Sequence, residues 1–155
     1  MADSSFLTKT VEPFVVNWVS RRIGQILEPK RVQVGHRADS SPVHFAFDGV
    51  SKDEKTGLLV STSMTFKPGG TRKLHVDACV LLRARFERRI MAFINESTLQ
   101  NFLNKVDGLL PLEEIEMFVC PLTDEISNGI AAFQALAKAE VGDKGRQWKV
   151  GGQRK

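Results

Sequence analysis

The run RRIMAFINE, residues 88–96, constrains the fold more than any other stretch. It is apolar without alternation and is bounded by charge. A strand at a sheet surface alternates apolar and polar residues, whereas a continuous short run fits a strand covered on both faces. IEMFVCPL (115–122) has the same character. A helical pattern follows each of them: STLQNFLNKVDGLL (97–110), with Ser97 as cap, and DEISNGIAAFQALAKAE (124–140), capped by Thr123. Two buried strands, each leading into a helix, imply crossover units and a sheet with helices on both sides.

The segments before them supply the rest of the sheet. Residues 8–27 predict a helix. Thr8 or Thr10 can cap it, Glu12 and Pro13 suit its first turn, and Val15, Trp18, Val19, Ile23 and Ile26 keep helical spacing. RVQVGHR (31–37) alternates as a strand, ADSSP (38–42) is a turn, and VHFAFDG (43–49) is a second strand closed by Asp48. SKDEKTG (51–57) is a hairpin loop, LLVSTSMTF (58–66) a third strand, and KPGGT (67–71) breaks it. Residues 72–86 carry Leu74, Ala78, Leu81, Leu82 and Arg85 on one helical face, with Val76, Cys79 and Val80 widening the apolar arc toward burial. The expected order is α–β–β–β–α–β–α–β–α, an α/β (α+β) domain with a mixed sheet and a three-strand meander.

The chain's 155 residues fit one domain over 1–141, followed by a basic tail over 142–155. The net charge of +4 belongs to that tail. GDKGRQWKVGGQRK holds five basic residues and one acid, which leaves 17 of each sign in residues 1–141. Two readings fit the tail: a disordered, solubilising end, or a contact with nucleic acid. No apolar run approaches the roughly 20 residues needed to span a bilayer. The opening MADSSFLTKTVEPF has no basic region before an apolar core, so no secretory signal is expected. Cys79 and Cys120 read as small buried hydrophobes of a cytosolic protein, not as a disulfide or a metal site.

The element order and Asp48 together carry a resemblance. Over roughly residues 8–122 the chain resembles the restriction-endonuclease-like, or PD-(D/E)XK, superfamily: a helix, a three-strand meander, a helix and a further strand, with an aspartate in the second strand. The resemblance implies a nuclease that binds or cleaves DNA with Mg2+ or Mn2+. Two acids would hold the metal, which activates water, while a lysine stabilises the nucleophile. Asp48 stands at the first acid. The third strand departs from the pattern, because Ser61 and Ser63 occupy the spacing of the acid and the lysine. A rebuilt site would place Asp48 and Asp77 on the metal, Lys73 near the water and Glu12 as an assistant. Lys73 and Asp77 are i, i+4 and share a helix face. The bland alternative is a surface ion pair on a catalytically inactive scaffold that serves protein interaction.

A second, shorter resemblance is to uncharacterised bacterial proteins that share a K-x-G-G-x-x-x-K-x-x-x-D helix entry; Lys67, Gly69, Gly70, Lys73 and Asp77 follow it with one residue fewer between the second glycine and the lysine. The acid those proteins carry in the preceding strand falls near Leu58. Lys67, Arg72 and Lys73 would flank a DNA cleft on this reading. DNA and a second copy of the chain are the partners it allows, with no membrane. Other chemistry is thinly supported. His36, His44 and His75 are not spaced for zinc, KPGGT lacks the P-loop pattern, and neither Ser61–Ser63 nor Cys120 has a neighbouring base.

Overall fold

The computed structural model describes residues 6–64 and 68–136. The chain divides into two compact units, Glu12–Pro121 and the terminal segments on either side of it. In the larger unit the elements run α1 (Glu12–Ile23), β1 (Leu27–His36), β2 (Pro42–Ser51), β3 (Thr56–Ser61), α2 (Pro68–Arg83), β4 (Arg88–Phe93), α3 (Glu96–Val106) and β5 (Glu116–Val119). The five strands form one sheet in sequence order, antiparallel from β1 to β3 and parallel from β3 to β5. The fold is therefore α+β with a five-stranded mixed sheet, as the two apolar runs require.

Every residue of β3 is buried, so both sheet faces are covered. Leu59, Met91 and Phe93 join Leu74, Ala78 and Leu81 of α2 and Phe102 and Val106 of α3 in the main core. Leu58, Val60, Ile90 and Ala92 alternate with them and are buried outside that cluster. There α1 packs against β3 through a face bearing Val15, Val16 and Val19.

Several boundaries differ from those expected, each for a local reason. The helix predicted over residues 8–27 ends at Ile23, because Gly24 takes φ +71° and the Gln25 N–H bonds back to the Ser20 carbonyl at 3.1 Å. This glycine-based stop satisfies the last carbonyls. Ile26, expected on the apolar face, is 79% exposed. The first strand starts at Leu27 and includes Pro29, which an edge strand tolerates at a bulge. The second runs past Asp48 to Ser51. The third ends at Ser61, so Ser63 lies outside it. KPGGT does not separate strand from helix: Pro68 to Thr71 form the first turn of α2, where proline's fixed φ and missing N–H are harmless. The widened apolar arc of this helix is buried only in part: Val80 packs against the core, but Val76 is half exposed and Cys79 is exposed. Its C-terminal carbonyls at Leu81 and Ala84 accept from the Arg89 guanidinium at 2.8 and 3.1 Å.

The third helix begins one residue before the expected cap. Asn95, not Ser97, is extended (φ −142°, ψ 123°), and its side-chain oxygen accepts the Thr98 N–H at 3.0 Å. Asn95→Ala is expected to cost about 1 kcal/mol, read as a shift in urea midpoint without a change in slope.

In the smaller unit, Leu7–Val11 makes a π-helical turn and residues 124–136 are helical. Thr123 caps this last helix, as expected, by accepting the Ile126 N–H at 3.3 Å. Gly129 lies against the Phe6 ring, where a Cβ would come within 2.4 Å of Cζ. The predicted continuation to residue 140 and the tail over 142–155 lie outside the described residues. No helix among the described residues is long and apolar enough to cross a membrane.

Candidate functional site

The backbones of β2 and β3 pair only through Gly49↔Leu58 and Val50↔Gly57. Beyond this short ladder the Val60 N–H takes a side chain as its partner, the Asp48 carboxylate, at 2.7 Å. Asp48 thus occupies the opening where the two strands part. Its burial pushes its pKa up, while the Val60 bond and the Lys73 ammonium pull it down.

Glu12, the first residue of α1, hydrogen-bonds side chain to side chain with Asp48. Two carboxyls bond this way only by sharing a proton. Glu12, whose pKa is the strongly raised one, is the carboxyl that carries it. Burial, and next the charge of Asp48, push the Glu12 carboxyl up to about 7. Asp77 raises it further, and Lys73 opposes all three effects. Below about pH 7 the pair therefore holds a proton that two exposed carboxyls would have lost.

Asp77 lies on α2, with its side chain 6% exposed, and its carboxylate takes the Lys73 ammonium at 2.8 Å. Lys73 itself is 66% exposed. The pair is thus not a solvated surface bridge: one partner is a buried charge, which needs its counter-ion far more than an exposed one does. The four residues Glu12, Asp48, Lys73 and Asp77 come from α1, β2 and α2, and Lys73 and Asp77 lie close enough to act on the protonation of Glu12 and Asp48. Sequence reasoning assigned Glu12 an assisting role, but it is the direct partner of Asp48. Asp77, expected near Asp48, lies close enough to raise its pKa and is also bonded to Lys73. No sequence signal marked the Val60 N–H, because backbone donors leave none.

The remaining expected positions that the structure describes do not join the cluster. Lys67 lies outside the described residues. Arg72 is exposed. Ser61 is buried, and its hydroxyl accepts the Ser63 N–H at 3.5 Å. His44 is exposed, His36 bonds Gln33 at 3.1 Å, and His75 bonds the Thr71 carbonyl at 2.9 Å. Burial pushes the Cys120 thiol up to about 11, far from a nucleophilic thiolate. Among the described residues no three His, Cys, Asp or Glu side chains form a ready-made cage for an ion.

The shared proton sets a pH dependence. A carboxyl with a raised folded pKa binds more protons folded than unfolded. Stability is then greatest below the ordinary value of 4.5 and falls as pH climbs toward about 7. Asp48, also raised, adds the same sign. Solvent screens the half-buried Glu12, so a loss of about 1–2 kcal/mol is expected, not the full value of the shift. Urea unfolding at pH 5 and pH 8 should show it, and Glu12→Gln should flatten the difference.

No protein-family model matches the chain. Searches of curated proteins and of solved structures also find no match.

Proposed function

We propose that this chain is a restriction-endonuclease-like protein that acts on DNA through a rearranged divalent-metal site. The observation that carries the reading is the Glu12–Asp48 acid pair, which shares a proton where β2 leaves β3. A half-buried pair of carboxyls is a place where Mg2+ or Mn2+ can replace a proton, since both ions prefer charged oxygen ligands. Asp48 and Glu12 would hold the ion, with Asp77 as a further oxygen donor on release from Lys73. A bound ion would lower the pKa of its water and offset charge on the phosphate. The Lys73 ammonium, largely exposed beside the acids, would meet the phosphate or the nucleophile. The order of α1, three strands, α2 and β4, with an aspartate in β2, agrees with that superfamily. The serines of β3 do not.

A second reading is a non-catalytic scaffold of the same architecture. The Lys73–Asp77 bond favours it, because it occupies an acid that a metal would need. Nicking of supercoiled plasmid in Mg2+ or Mn2+, with melting temperature followed against metal concentration, separates the two. Metal-dependent nicking and a rise in melting temperature support the site. Neither effect at millimolar metal would leave the scaffold.

A further inference from the structure

A second feature lies toward the other end of α2. Gln33, Val34, Gly35 and His36 of β1, with Arg83 and Arg85 at and after the helix C-terminus, line an open cavity of about 700 Å³. Neither Arg83 nor Arg85 forms an ion pair or a hydrogen bond among the described residues. The acids nearest in sequence are engaged elsewhere. Asp39 accepts from Ser41, and Glu87 pairs with Lys55 at 3.7 Å. The groove therefore carries two guanidinium groups without an ion-pair partner among the described residues, although residues 1–141 are neutral as a whole. Gly35 adds bare backbone to its floor. A Cβ there would stand 3.3 Å from Arg83 Nε and 3.4 Å from Nη2, so the missing side chain makes room for the guanidinium.

We propose that this groove is a nucleic-acid contact, in which Arg83 and Arg85 hold backbone phosphates. Guanidinium groups present forked donors that match phosphate oxygens. Arg83 is ten residues from Lys73, which places it about 15 Å along the helix. That spacing exceeds a mononucleotide and suits an extended polyanion that touches both ends of α2. The choice of nucleic acid as the polyanion rests on the function proposed above.

The test is fluorescence anisotropy with a labelled DNA duplex of about 20 base pairs, titrated at several salt concentrations. The double variant Arg83→Gln/Arg85→Gln is expected to bind about tenfold or more weakly at low salt. Its log–log salt slope should be shallower by about 2, near 0.9 for each phosphate that is no longer neutralised. Gly35→Val keeps both charges but displaces the Arg83 guanidinium, so a smaller loss is expected. Lys105→Gln, which removes one exposed positive charge from α3 and none from the groove, should bind as the wild type does. Unchanged affinity and slope in the double variant, or no binding by the wild type at low salt, would overturn the assignment. Arginine-dependent binding without metal-dependent nicking would sink the metal site alone and leave the groove standing.

Discussion

Gly57→Ala is expected to destabilise the protein by about 3 kcal/mol, at the upper end for a single added methyl group in a core. A Cβ at this position would stand 2.1, 2.3 and 2.6 Å from Cε2, Cδ2 and Cζ of Phe86. No van der Waals contact survives at such distances, so the ring must move. It has little room to do so. Phe86 is 4% exposed and meets Phe47 edge-on at 5.0 Å, and Phe47 meets Phe45 at 5.2 Å. Displacing one ring drives the next, through the layer that joins β2 to the end of α2. Thermal unfolding should show a drop of about 10 °C. Phe86→Leu alone should also destabilise by leaving a void. Combined with Gly57→Ala it should cost well under the sum, because the smaller side chain yields the space the methyl needs. A Gly57→Ala protein that melts with the wild type would refute this account of the packing.

Asp48→Asn should separate function from stability. The asparagine oxygen can still accept the Val60 N–H, and its amide can donate to an ionised Glu12. The substitution also removes one of two facing buried charges. Stability at pH 8 is therefore expected to hold or rise, by up to about 1 kcal/mol. Activity should move the other way. Loss of even an outer partner of a metal ligand costs roughly 10–100-fold, and loss of the ligand itself should exceed that. Metal-dependent nicking should fall by more than about 100-fold, and the metal-induced rise in melting temperature should vanish. An aspartate kept only for structure predicts the reverse: a less stable protein with unaltered nicking, or with none in either form.

Much of the architecture could be read from residue order. The uninterrupted apolar character of 88–96 and 115–122 predicted strands covered on both faces: the first segment holds β4, whose last four residues are buried, but the second holds β5, an edge strand that is only half buried along its length. Alternation in 31–37 and 43–49 placed β1 and β2, and Thr123 marked the start of the last helix. Misplaced boundaries came from residues with two local meanings. Proline and paired glycines in KPGGT signal a turn, yet proline equally opens a helix, and α2 begins at Pro68. Val76 and Cys79 have apolar side chains, but no neighbouring element among the described residues reaches that face of α2 to cover them. Hydrophobicity records what a residue tolerates, and burial records what happens to lie opposite.

The site divides along the same line. Sequence alone determined the order of the elements, the sheet's mixed sense and, through i, i+4 spacing, that Lys73 and Asp77 share a helix face; these are properties of the local chain. Asp48 and Glu12 are singled out with them only by the resemblance to the restriction-endonuclease-like superfamily. Tertiary structure decided the pairing. It put Glu12 on Asp48, Asp77 on Lys73 and the Val60 N–H on Asp48, and it pushed Glu12 up to about 7. It also joined Arg83 and Arg85 to the edge of β1. A carboxyl's protonation depends on how much water it has lost and which charges surround it. Both are set by segments tens of residues away, so no local pattern encodes them.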